Sequence, residues 1–197
     1  MASFKIQKQY RLRGYDYSNE GLYFITIVTK GREDYFGAIA DNCMHFTPIG
    51  LFAAHLLQLF KPLETDADPF KKNPLLQTNP DKLLYIPEFT VMPNHVHLIL
   101  GIASRSNPAA PPEPIASPDA HLRPLQKASV SSFINHYKGK VTRHATEIKA
   151  LPFAWQPRFH DRIIRDADEY ERIVAYIRSN VANCGRAMQR ICAVSTA

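Results

Sequence analysis

Residues 92–102 read Met92-Pro93-Asn94-His95-Val96-His97-Leu98-Ile99-Leu100-Gly101-Ile102. Side chains alternate across a β-strand, so a strand over His95–Ile102 sends His95 and His97 to one face and Val96, Leu98 and Leu100 to the other. The apolar set anchors the strand in a core and leaves the histidine face free for chemistry. Upstream, Lys82 to Val91 has the composition of a partner strand, and Met92-Pro93-Asn94 is a turn signal, so the segment reads as a hairpin. Pro87 lacks a ladder donor and marks an irregular or edge position in the first arm.

The rest of the chain arranges around this hairpin. Leu22 to Thr29 (LYFITIVT) is β-branched and aromatic and apolar on both alternating sets, as an interior strand should be. Thr47 and Pro48 offer an N-cap and a first-turn proline, and Ile49, Phe52, Ala53, Leu56, Leu57 and Phe60 follow at helical spacing up to Pro62. Residues 62–81 read as an exposed loop. Ala103 to Pro124 holds six prolines and little that packs, which suggests a flexible insertion over 103–124. Val130, Phe133, Ile134, Tyr137 and Val141 restore a helical stripe. Phe159 to Ile164 reads as a further strand, and Asp166 with Glu169 three residues on caps a last helix reaching about Ala182. The order βαββαβα predicts an α+β chain: a ferredoxin-like, split βαβ antiparallel sheet with helices on one face, plus a C-terminal helix carrying Tyr176.

A chain of 197 residues with 45% hydrophobic content suits one domain over 1–197, with 183–197 as a tail. No apolar run approaches bilayer length and no signal-peptide core is present, so the expectation is a cytoplasmic protein without membrane association. Cys43, Cys184 and Cys192 are odd in number and lack metal-knot spacing, which fits reduced thiols. A net charge of +6 favours a polyanionic partner through counterion release. Every cation after Lys149 is arginine, the side chain whose planar fork grips phosphates.

Two histidines are too few donors for a cation, which takes four to six. The last helix offers more. Tyr176 and Asn180 are one turn apart and border the stripe of Ile173, Ile177 and Val181. A helix laid on the sheet would bring both to the histidine face. Tyr170 is the rival tyrosine, but it falls inside the apolar stripe, and the residue four positions on is Val174, which cannot bind a metal.

These segments together resemble the REP-associated tyrosine transposases, within the single-tyrosine HUH transposases. The likeness rests on GLYFITIVTKGREDYFG (Gly21–Gly37), MPNHVHLI (Met92–Ile99) and WQPRFHDRIIRDADEYERIVAYIRSN (Trp155–Asn180), in that order. The resemblance implies that His95 and His97 are metal ligands with Asn180 as the third, and that Tyr176 is the nucleophile. It implies Mg2+ or Mn2+ as the metal and single-stranded DNA, in repeat-derived hairpins, as the partner. The activity it implies is nicking and rejoining of that DNA through a 5′-phosphotyrosine intermediate by a monomer or homodimer. Arg158, His160, Asp161, Arg162 and Arg165 are candidate DNA contacts. One departure is that relatives often follow YIxxN with proline, where this chain has Val181, so the helix can run on.

Other readings attach to the same residues. A phenol is a weak nucleophile at neutral pH, its ordinary pKa being about 10, and needs help from nearby charge or a base. A half-buried aromatic is the commoner fate of a tyrosine on a helix flank. His95 and His97 could be hydrogen-bonded strand histidines, and the arginines a solvated face. A cupin-type HxH site wants a glutamate close downstream, and the next acid after His97 is Glu113. From a different class, a non-catalytic single-stranded nucleic-acid-binding module on the same scaffold shares the DNA affinity, but it would form no tyrosine adduct.

Overall fold

The computed structural model describes residues 15–40, 43–62, 82–104, 128–149 and 152–182. Its strands are β1 (Gly21–Val28), β2 (Gly37–Ala40), β3 (Cys43–Phe46), β4 (Lys82–Tyr85), β5 (Phe89–Met92), β6 (His95–Ser104) and β7 (His160–Ile164). The helices are α1 (Pro48–Gln58), α2 (Val130–Glu147) and α3 (Ala167–Ala182), with a short 3-10 turn at Lys30–Arg32. The main sheet runs β4-β6-β1-β7, with β5 also on β6, and every pairing is antiparallel. β4 and β5 therefore act as one interrupted strand along β6. Since β6 lies antiparallel between that strand and β1, the outer two are parallel, which is the split βαβ arrangement expected from the element order.

Pro87 explains the interruption. Without a donor it cannot continue the ladder. Ile86 N turns away to Phe60 O at 2.9 Å, while Glu88 O accepts from Ile99 N at 2.9 Å and pairing resumes. The turn between β5 and β6 is Pro93-Asn94, since Met92 already pairs with His95. β6 continues through Ala103 to Ser104, so the proline-rich segment begins later than residue 103; its remainder, like 63–81 and 183–197, lies outside the described residues. The hairpin of β2 and β3 is an addition to the expected plan. Its Gly, Ala, Cys and Met content carries almost no strand signal.

Both faces of the sheet are covered. Tyr23, Ile25 and Ile27 of β1 join Val96, Leu98, Leu100 and Ile102 of β6 in a core completed by Ala53 and Leu57 of α1 and Ile134 and Val141 of α2. On the other face Ile99, Ile164, Val174 and Ile177 form a second cluster, flanked by Leu22, Phe24, Tyr170 and Ile173, which seats α3. The alternation within β6 thus places α3 on the face that carries His95 and His97.

The caps follow the sequence. Thr47 Oγ1 accepts from Gly50 N at 3.2 Å ahead of Pro48, and Asp166 Oδ1 accepts from Glu169 N at 2.7 Å. Glu169 is buried, accepting from Arg165 N at 3.0 Å and pairing with Arg162 at 2.5 Å, which ties the start of α3 to β7. Among the described residues no helix is long and apolar enough to cross a membrane.

Gly50 is fixed by a close approach. A Cβ there would fall 1.9 Å from Phe36 O and 2.9 Å from the Phe46 ring, where the first turn of α1 sits on the backbone before β2. Since a carbonyl cannot rotate aside as a side chain can, Gly50→Ala is expected to destabilise the fold by about 2–3 kcal/mol. A urea midpoint unchanged from wild type would show that this contact yields freely.

Candidate active site

The site is built where the middles of β1 and β6 meet α3. Register puts Thr90 of β5, His97 of β6, Thr26 of β1 and His160 of β7 in one row across the sheet. The neighbouring row holds Met92, His95 and Val28. His97 is only 6% exposed. Its Nδ1 lies 2.8 Å from Thr26 Oγ1, its ring stacks on Phe24 with centroids 5.4 Å apart, and the His95 ring stands at 4.7 Å.

α3 delivers the tyrosine to this row. Val174 and Ile177 are buried, so Tyr176 falls on the edge of the packed stripe and remains 47% exposed. Its hydroxyl lies 3.4 Å from His97 Nε2, and its ring meets Phe24 edge-on at 6.0 Å. Arg178 holds this end of the helix to the sheet edge through Glu88, at 2.8 Å and 2.9 Å. Tyr170, by contrast, is partly buried against the flank of the apolar cluster.

The histidines are fixed by oxygen partners on one side of each ring. His95 Nδ1 faces Asn94 Oδ1 at 2.8 Å, and Asn94 Nδ2 donates to Asp34 Oδ1 at 2.8 Å. An amide oxygen only accepts, so His95 carries its proton on Nδ1 and keeps the Nε2 lone pair. Burial lowers the His95 pKa, helped by the Arg32 guanidinium and opposed by Asp34. Burial, reinforced by His95, pushes His97 down to about 4. Both rings are therefore neutral at physiological pH.

That state suits metal binding, which needs deprotonated imidazole with the second ring nitrogen held by an oxygen. Thr90 adds a further observation. It is 1% exposed beside His97, and its Oγ1 finds no hydrogen-bond partner among the described residues. A buried hydroxyl in this position matches a hydrated cation better than an apolar core. Among the described residues no group of three or more His, Cys, Asp or Glu could hold a metal. Two imidazoles are thus the donors that share this face, and Asn180 is half-buried one turn beyond Tyr176 on α3.

The other sequence candidates are dispersed. His160 shares the row of His97, and Arg162, paired with Phe24, lies on the same face but engages Glu169. Asp161 pairs with Ile25 and so points to the opposite face. Arg158 is exposed ahead of β7, its carbonyl accepting from Lys138 Nζ at 3.2 Å, and Arg165 is exposed before α3. Sequence reasoning missed Thr26, Phe24, Asn94, Asp34, Arg32 and Thr90. Thr26, a polar residue inside the apolar run of β1, was the available signal.

The His97 shift has a consequence for the metal-free protein. The unfolded chain takes up a proton near pH 6.5 that the folded chain resists until about 4, so the unfolded state binds more protons between those values. Stability therefore falls as pH drops from 6.5 toward 4 and the loss levels off below, reaching up to about 3 kcal/mol. Urea midpoints across this range should show the decline in wild type and a shallower one in His97→Gln. Parallel curves would remove His97 as the cause.

No family model matches the chain. It is 27% identical over 183 residues to an uncharacterized protein of Haemophilus influenzae, covering 88% of this chain and 87% of that one. Among solved structures it is similar to a REP-associated tyrosine transposase bound to a REP hairpin, at 18% identity and TM-score 0.46, covering 91% of this chain and 75% of the other. It is also similar to a candidate transposase of Deinococcus radiodurans, at 18% identity and TM-score 0.41, covering 86% and 95%.

Proposed function

We propose that this protein is a single-tyrosine DNA strand transferase of the REP-associated, HUH type, in which Tyr176 cuts and rejoins single-stranded DNA. The observation that carries the reading is the hydroxyl of the half-exposed Tyr176 lying 3.4 Å from Nε2 of a buried neutral histidine, on the face that also holds His95.

The chemistry is a transesterification. Tyr176 Oη forms a bond to phosphorus as the bond from phosphorus to the 3′ oxygen breaks. The phenolic proton leaves to solvent and the departing oxygen takes one up, giving a 5′-phosphotyrosine and a free 3′-OH. Because one phosphodiester replaces another, rejoining needs no external energy source. His95, His97 and Asn180 would hold a divalent cation, Mg2+ or Mn2+, whose contribution when bound is to polarise the scissile phosphate. His97 Nε2 cannot serve a cation and the phenol at once, so the phenol would have to give up its present contact for that nitrogen to act as a ligand. Phe24 limits where it can go, since it flanks both the His97 and Tyr176 rings.

The test is incubation with labelled single-stranded hairpin DNA and Mg2+ or Mn2+, followed by denaturing gels. A protein-linked label marks the covalent intermediate. Binding without any adduct across a panel of hairpins would leave the non-catalytic nucleic-acid-binding reading in its place.

A further inference from the structure

His97 stands between two threonines. β1 and β5 lie on opposite sides of β6, and the register puts Thr26 and Thr90 directly across from His97 on one face. Thr26 meets the ring, with Oγ1 2.8 Å from His97 Nδ1. Thr90 makes no such bond: it is 1% exposed, and its Oγ1 has no hydrogen-bond partner among the described residues.

The polar groups around Thr90 are engaged elsewhere. Two residues back along β5 on the same face, Glu88 gives its carboxylate to Arg178 at 2.8 Å and 2.9 Å. On β6, His97 turns Nδ1 to Thr26 and Nε2 to the Tyr176 hydroxyl, while the diagonal neighbour His95 turns Nδ1 to Asn94. A buried hydroxyl without a partner destabilises a fold, and valine has the same shape, a comparable strand propensity and no such penalty. Position 90 sits on the face where α3 packs on β5, so valine would fill it equally well. The oxygen of Thr90 thus contributes nothing to the fold that valine would lack, and it lies beside the two histidines.

We propose that Thr90 is a positioning residue of the cation site, its hydroxyl accepting a hydrogen bond from a water bound to a divalent ion held at His95 and His97. The proposal rests on the cation site of the function proposed above. Mg2+ keeps several of its waters when bound to proteins, and a face with two imidazoles leaves room for them. Metal-bound waters are strong donors, and a hydroxyl offers two acceptor lone pairs. Cross-strand neighbours have Cβ atoms roughly 4.5–5.5 Å apart, close enough for the Thr90 hydroxyl to reach the space beside the His97 ring.

The experiment is calorimetric Mn2+ titration together with thermal melts on the full-length wild type, Thr90→Val and Thr90→Ser, with no DNA present. Thr90→Val keeps the shape of the side chain and removes its oxygen. Without metal its melting temperature should rise by about 2–4 °C, because an unsatisfied hydroxyl has gone. Its Mn2+ affinity should nevertheless fall about tenfold, the lower end of what outer partners of a metal site contribute. The gain in melting temperature should therefore shrink as Mn2+ is added, since the ion stabilises the wild type more. Thr90→Ser keeps the hydroxyl and should bind Mn2+ within about threefold of wild type. A threonine that serves only the fold, through a resident water, predicts the reverse: Thr90→Val would melt lower and bind Mn2+ as tightly as wild type. Either of those results overturns the assignment, as does a loss of affinity that Thr90→Ser fails to restore. Wild type that binds no Mn2+ overturns the cation site and Thr90 with it. The expected affinities without any tyrosine adduct on hairpin DNA would overturn the DNA-cleavage reading and leave the role of Thr90 standing.

Discussion

Tyr176→Phe is expected to abolish the covalent DNA adduct, lowering cleavage on the order of 10³-fold or more while leaving hairpin affinity within about threefold. The change removes one oxygen from a ring that is 47% exposed, so the fold should be affected by no more than about 0.5 kcal/mol. The ring keeps its edge contact with Phe24 and its place beside His97, at 6.0 Å and 5.3 Å between centroids. Loss of activity would therefore report the hydroxyl alone. Tyr170→Phe is the matched control: that ring lies against the apolar cluster that seats α3, and its variant should retain the adduct. An adduct surviving in Tyr176→Phe would move the nucleophile elsewhere.

The parts of this site that were legible in the sequence are those written in local periodicity. The period of two over His95-Val96-His97 fixed their common face, and the period near 3.6 from Ile173 to Ile177 put Tyr176 on the flank of α3 and Tyr170 inside it. The partners that tune those residues are set by long-range register. Thr26 meets His97 across 71 residues of chain because Gly21 aligns with Ile102. A slip of one residue would have brought an isoleucine there instead. The same holds for β7, where alternation separates His160 from Asp161, but only pairing with β1 reveals that His160 takes the face of His97. Asn94 and Asp34 escaped notice for another reason, since a turn and a loop carry no periodicity, and their bond exists only because Thr29 clamps the two segments together.

The histidines themselves should separate by experiment. His95→Ala and His97→Ala are each expected to remove metal-dependent cleavage, a loss of several kcal/mol of transition-state stabilisation or on the order of 10³-fold. They should differ in what else they cost. His95 is partly exposed, and its removal frees the Asn94 amide to solvent, so that variant should fold normally. His97 fills a buried position between Phe24 and Tyr176 and partners Thr26, so His97→Ala opens a cavity and should also destabilise the protein by about 1–3 kcal/mol. His97→Gln refills much of that volume and can still bond Thr26, yet an amide is a poorer metal ligand than imidazole. It should recover stability without recovering cleavage. Titrating Mn2+ calorimetrically against all three variants isolates the metal from the fold: wild type should bind, and the His95→Ala and His97→Gln proteins should bind at least about tenfold more weakly. Cleavage by His95→Ala with an unchanged Mn2+ requirement would mean that the pair serves the sheet and that the ion, if one is used, sits elsewhere.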